Sequence, residues 1–206
     1  MSDDLEKTLS LRTSFGEFDI SPAKYPHNSF VGKIYYRLEG KLENSSLSVL
    51  LDTFRYLEDW LINSFGDFKN FIYLEDFIAG LQRFGASERF IQSKLSEYAS
   101  MGTIYPGYAP DICIVEKTGR NNEFGIPLMV FEITSKRSQE NDLWFKPYFY
   151  ETIGVNEYFV GEPEVETGAI IRAYRLENKR YQPIALEDDG YFSQVLGHVV
   201  PKQWEM

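Results

Sequence analysis

The run PLMVFEIT, residues 127–134, constrains this chain more than any other segment. It is short, apolar and rich in β-formers, with a single carboxylate, Glu132, inside it. Side chains alternate faces along a strand. Glu132 therefore shares a face with Leu128, Val130 and Thr134, while Met129, Phe131 and Ile133 point the other way. If both faces are covered, Glu132 is a buried carboxylate, which is very costly without a partner. A metal, a hydrogen-bond network, or a salt bridge to Lys136, Arg137 or Lys146 could each satisfy it, and an edge position would relieve it. A second apolar run, DICIVE at 111–116, opens on another acid, Asp111. The polar segment 117–126 between them reads as a hairpin-like loop.

The rest of the chain fits around these two strands. Residues 1–28, with Pro22 and Pro26, read as an N-terminal arm. Residues 30–42 alternate in part and are expected to form a strand pair around Gly40. From Ser46, the apolar positions Leu47, Leu50, Leu51, Phe54, Leu57, Leu61 and Ile62 recur at three and four, which predicts an amphipathic helix ending near Gly66. A second helix is expected over Phe71 to Leu81. A third is expected from an N-cap at Ser87, with Phe90, Ile91, Leu95 and Tyr98 inward. Residues 140–153 read as helical, with Pro147 disturbing the pattern. Residues 157–160 read as a buried strand, residues 168–176 and 180–186 as a strand pair around Asn178, and the tail as loop. This order predicts a mixed α/β domain with a central sheet.

Composition excludes several classes. With 206 residues the chain can bury a sizeable core and needs no metal or disulfide to fold. One cysteine, Cys113, rules out an internal disulfide. Two histidines, His27 and His198, far apart and without cysteine partners, argue against a structural zinc site. A net charge of −10 argues against a sequence-blind nucleic-acid coat. The acidic, polar start lacks signal-peptide character, and no apolar run approaches a membrane span. The expectation is a cytoplasmic protein with no membrane partner.

Two carboxylates on neighbouring strands can hold a hard divalent cation through oxygen ligands. A lysine nearby, Lys136 or Lys146, could then stabilise charge on a phosphate or position a water. Against this stands the commoner arrangement, in which such acids are paired structurally.

The motifs, taken in order, carry a resemblance. PDICIV at 110–115, PLMVFEITS at 127–135 and DLWFKPYFYETIGVNEYFV at 142–160 resemble the Uma-two family of bacterial restriction endonucleases, within the PD-(D/E)XK nuclease superfamily. Tyr174, Arg175, Leu176, Tyr181, Gly190, Ser193, Leu196 and Gly197 fit the closing pattern, so the resemblance covers about residues 105–200. It implies a restriction-endonuclease-like α/β fold, a central mixed sheet flanked by helices, over residues 29–206, with residues 66–103 as a helical elaboration. It implies Mg²⁺, or Mn²⁺ in its place, held by Asp111 and Glu132. Lys146 would replace the lysine missing at Thr134, the third position of the motif, and Thr134 would line the site. Asp142 and Ser135 match positions of the family whose roles stay unassigned. The histidine that the family carries near its first helix is not evident between Ser45 and Leu61. The implied activity is hydrolysis of DNA phosphodiesters by a homodimer. The alternative is a nuclease-fold protein without catalysis, acting as a binding or assembly module.

Overall fold

The computed structural model describes residues 9–13, 16–20, 25–51, 74–101, 110–117, 126–163 and 167–205. Strands β1 (Leu9–Thr13) and β2 (Gly16–Ile20) form an antiparallel hairpin in the region expected to be an arm. Helix α1 (Tyr25–Leu42) and strand β3 (Leu47–Leu51) follow. Helices α2 (Leu74–Arg83) and α3 (Glu88–Met101) come next. Then come β4 (Ile112–Glu116) and β5 (Met129–Ile133), a π turn (Asn141–Phe145) and helix α4 (Lys146–Ile153). Seven short strands complete the chain: β6 (Glu157–Pro163), β7 (Thr167–Glu177), β8 (Arg180–Pro183), β9 (Leu186–Glu187), β10 (Gly190–Ser193), β11 (His198–Pro201) and β12 (Gln203–Glu205).

The main sheet runs β12-β7-β6-β5-β4-β3, with β8 added on β7. Its one parallel step is β5 to β6, and the π turn with α4 makes that crossover. The other pairings of this sheet are antiparallel. Helices therefore flank a central mixed sheet, the α/β architecture that the strand and helix order predicts. Alternation sorts β4 and β5 cleanly. Cys113, Val115 and Val130 pack beneath α2, α3 and α4, whereas Ile112, Ile114, Met129, Phe131 and Ile133 pack on the opposite side with α1. The tail, expected as loop, instead adds β12 to the main sheet and forms a small sheet of β9, β10 and β11.

Two further expectations are corrected here. Residues 30–42 are not a strand pair around Gly40 but the body of α1. Phe30, Ile34, Leu38 and Leu42 recur every four residues, all buried, and that helical period overrides the partial alternation. Residues 47–51 are not the start of a helix but strand β3, paired with β4 from Leu47 opposite Glu116 to Leu51 opposite Ile112. The remainder of that expected helix, with Phe54, Leu57, Glu58 and Leu61, lies outside the described residues. Most of the expected loop 117–126 and the start of the helix expected from Phe71 also lie outside the described residues, whereas the other helices and strands of the central region appear as expected. Ser87 caps α3, its Oγ accepting from the Phe90 amide at 3.2 Å. Asn178 and Lys179, both at positive φ, make the tight turn between β7 and β8.

Candidate active site

The register of β4 on β5 pairs Ile112 with Phe131 and Cys113 with Val130. One step further along the same register sets Asp111 opposite Glu132, on the face shared with Cys113 and Val130. Directly opposed residues on one face of an antiparallel pair are close neighbours. The Ile133 amide donates to Asp111 Oδ2 at 2.7 Å, which ties the aspartate side chain across to the end of β5. The two acids of the sequence motifs thus arise at one end of adjacent strands.

Glu132 is 1% exposed, and both its oxygens are engaged. Tyr150 donates its hydroxyl to Oε1 at 2.8 Å, and the Lys146 ammonium lies 2.8 Å from Oε2. Burial, together with the charges of Asp111 and Asp142, pushes the Glu132 carboxyl up to about 8 against the pull of Lys146. Lys146 also pairs with Asp142 Oδ1 at 2.8 Å. Burial alone would lower the lysine, but the carboxylates of Glu132, Asp142 and Asp111 outweigh it and hold its pKa above the ordinary range. The ammonium is therefore charged and fixed between two acids from the sheet and the crossover. Lys136, the other lysine near Glu132 in sequence, is exposed.

The crossover is built to deliver that lysine. The Lys146 amide bonds the Asn141 carbonyl, five residues back, so the turn before α4 is one residue wider than an α turn. Pro147 then falls in the first turn of α4, where a missing N–H costs nothing. The proline that disturbed the sequence pattern is thus a helix start rather than a bend that misdirects the amine. The Tyr158 hydroxyl donates to the Asp142 carbonyl at 2.6 Å and anchors the π turn to β6. Gly154, at φ 90°, ends the helix in the left-handed region that glycine tolerates.

Thr134 is buried at the end of β5, on the same side as Glu132 by alternation. Its hydroxyl donates to the Ser135 carbonyl at 3.3 Å and its amide to the Gly161 carbonyl, so its described bonds are local. Ser135 is exposed, and its hydroxyl lies 3.0 Å from that of Ser138 in the turn after β5. Asp142 is buried against Lys146 and belongs to the acid cluster.

His27 is the residue that sequence reasoning missed. Its Nε2 lies 3.4 Å from Asp111 Oδ1, and about a quarter of each side chain is exposed. Despite burial, which opposes it, the hydrogen bond and charge of His27 lead Asp111 to a pKa below its ordinary value, with Lys146 and the Ile133 amide adding to this. His27 sits in the first turn of α1, where the helix dipole also favours an anion. The missing signal was present in the sequence. Pro26 in a first helical turn, followed by the four-residue apolar period from Phe30, marks a helix start and places His27 there.

The donor set suits a hard divalent ion. Asp111 and Glu132 offer carboxylate oxygens on adjacent strands, and each oxygen keeps a further lone pair after its present bond. Among the described residues no group of three or more His, Cys, Asp or Glu side chains is placed to hold a metal ion, so the two acids would serve without a third protein ligand. Mg²⁺ is commonly held by one or two carboxylates, with water and substrate phosphates filling its sphere.

A mixed sheet with a helical crossover between its parallel strands, and an acid pair with a lysine at the ends of β4 and β5, define a restriction-endonuclease-like α/β domain. The family model Uma2, described as a putative restriction endonuclease, matches residues 68–203, more than half of the chain. The chain belongs to that family, and the assignment points to a nuclease. No curated protein matches the chain. Among the described residues no helix is long and apolar enough to cross a membrane.

Proposed function

We propose that this protein is a divalent-metal-dependent endonuclease that hydrolyses DNA phosphodiesters. The observation that carries the reading is the convergence of Glu132, Lys146 and Asp142 in ion pairs of 2.8 Å, beside Asp111 on the next strand. Asp111 and Glu132 are the residues that would hold Mg²⁺ or Mn²⁺. When bound, such an ion polarises a phosphoryl oxygen and lowers the pKa of a water. The chain's own residues supply the rest. The Lys146 ammonium, fixed by Glu132 and Asp142, meets negative charge that develops on the phosphate. Tyr150 orients Glu132 through its hydroxyl. His27 holds Asp111 at the exposed side of the cluster, where a phosphate can enter. Thr134 lines the strand end beneath.

A second reading has its own support. Lys146 and Tyr150 already engage both oxygens of Glu132, an arrangement that also suits a purely structural ion pair. On that reading the chain is a nuclease-fold binding module. A plasmid assay separates the two. The expected result is nicking or linearisation with Mg²⁺ or Mn²⁺, none with EDTA, and loss of at least about 100-fold in Lys146→Ala, the scale of removing one charge-stabilising group. Lys136→Ala is expected to cleave as the wild type does. Wild-type protein that binds DNA but never cuts it supports the binding module. A homodimer, implied by the sequence resemblance, is not supported by the family match, and light scattering that reports a monomer at high concentration counts against it.

A further inference from the structure

A groove of about 550 Å³ lies between α2 and the β7–β8 hairpin, and both α2 and β8 pack on α4. Its lining carries Arg83, Arg172 and Arg180, with the aromatic rings of Phe84, Tyr174 and Tyr181 between them. Asp76 is the one acid on that lining among the described residues. Beneath it, the buried carboxylate of Glu151 receives Arg83 on both oxygens, Arg180 Nη1 at 3.1 Å and the Tyr181 amide. One carboxylate thus serves two guanidinium groups and pre-orients both. Arg172 donates to the Tyr174 hydroxyl at 3.4 Å, a weak bond that leaves most of its donor fork for another acceptor. Three cations stand against two acids, a local positive excess on a chain whose net charge is −10.

The chemistry narrows the ligand. The guanidinium fork matches the oxygens of a phosphate, and bidentate charge-assisted bonds are strong. Tyr174 is part of a stacked row with Tyr158 and Tyr181 and is only partly buried, so its ring is a rigid platform beside the arginines. Cations with an aromatic platform are the equipment that single strands meet on proteins. We propose that this groove binds a phosphodiester of a polynucleotide strand, with Arg172 as the principal contact, Arg180 beside it and Tyr174 offering a stacking surface. The choice of a polynucleotide over a small phosphate rests on the nuclease reading. Helix α4 links the two sites, since Lys146 and Glu151 lie five residues apart on it, about 7.5 Å along the axis.

The test measures binding without cleavage. Fluorescence anisotropy of a labelled single-stranded oligonucleotide is recorded in EDTA at low salt. Arg172→Gln is expected to weaken binding about tenfold, and to reduce the slope of log affinity against log salt by about 0.7, the value for one phosphate contact on a single strand. Arg172→Lys is expected to recover part of the loss. Thermal melting should match the wild type, because Arg172 makes no ion pair among the described residues. Glu132→Gln should bind as the wild type does while losing any cleavage. Arginine-dependent binding without cleavage in any metal leaves the groove standing and removes the nuclease. Cleavage with equal oligonucleotide binding by wild type and Arg172→Gln/Arg180→Gln overturns the groove and leaves the nuclease. Failure of the wild type to bind also overturns it. So does arginine-dependent binding of inorganic phosphate with no binding of the oligonucleotide.

Discussion

Glu132 shows how one buried carboxylate can be both a structural liability and a chemical resource. In the unfolded chain it ionises near its ordinary value of 4.5, whereas in the fold it holds its proton up to about 8. Between those values the unfolded state has released a proton that the folded state keeps, so the contribution of this group to stability falls as pH rises from about 4.5 to about 8. Above that window the loss is complete. Glu132→Gln keeps the shape and an acceptor for Tyr150 and Lys146 but cannot titrate. Its stability relative to the wild type is therefore expected to improve by on the order of 3–5 kcal/mol between the lower and upper ends of the window. Urea denaturation in EDTA at pH 5 and pH 8.5 measures this. A constant difference between the two proteins at both pH values would show that Glu132 stays ionised in the fold. This residue was legible in the sequence because an acid inside an apolar run cannot go unnoticed by its neighbours. Lys146 was legible for the matching reason, a long stem on a segment that must pack back over the sheet. For His27 only half was legible, since Pro26 and the period from Phe30 mark the helix start, but neither His27 nor Asp111 carries a local sign of the other. Tyr150 packs in the core, and its hydroxyl also donates to the buried Glu132 carboxyl.

At the level of elements, the strands were easier to read than the helix that opens the fold. In β4 and β5 both faces are buried, so an unbroken apolar run is itself the signal. Residues 30–42 carry Val31, Tyr36 and Gly40 between the buried positions, and these blur a four-residue period into apparent alternation. Leu47, Leu50 and Leu51 mislead in the opposite sense, since three-and-four spacing over so short a run is compatible with a strand that buries both sides. Gly40 looked like a turn but sits within α1, where a Cβ would meet nothing within 4 Å. Glycine inside a helix sacrifices backbone entropy without return here. Gly40→Ala is expected to stabilise the protein by about 0.5–1 kcal/mol, read as a higher melting temperature. Gly80 presents the contrary case in α2, because a Cβ there would lie 2.1 Å from the Tyr148 ring. Gly80→Ala is expected to destabilise by about 1–3 kcal/mol in the same measurement. If the two substitutions shift the melting temperature in the same direction, the packing of α2 on α4 is not as described.

For the whole molecule, the question is how a chain of net charge −10 would engage a phosphate backbone, as the proposed function requires. General electrostatic attraction cannot do it, so positive charge must be local, whether from a groove of arginines or from an ion at the acid pair. A divalent ion held by Asp111 and Glu132 would turn this cluster of acids into a point that attracts phosphate. Such an ion binds the folded chain in preference to the unfolded one, because only the fold sets the two acids on adjacent strand ends. Its binding must then appear as stability. At a metal concentration about 100 times its dissociation constant, the gain is about 2.7 kcal/mol, or a rise of roughly 5–10 °C in melting temperature for a domain of this size. Asp111→Asn keeps the side-chain shape and an oxygen that can accept from the Ile133 amide, yet removes the carboxylate charge that Asp111 offers to the ion. The expected outcome is a melting temperature that rises with Mn²⁺ in the wild type and stays flat in Asp111→Asn, each read against the same protein in EDTA. An equal rise in both would place the ion elsewhere on this acidic surface and leave the pair at the ends of β4 and β5 without a metal.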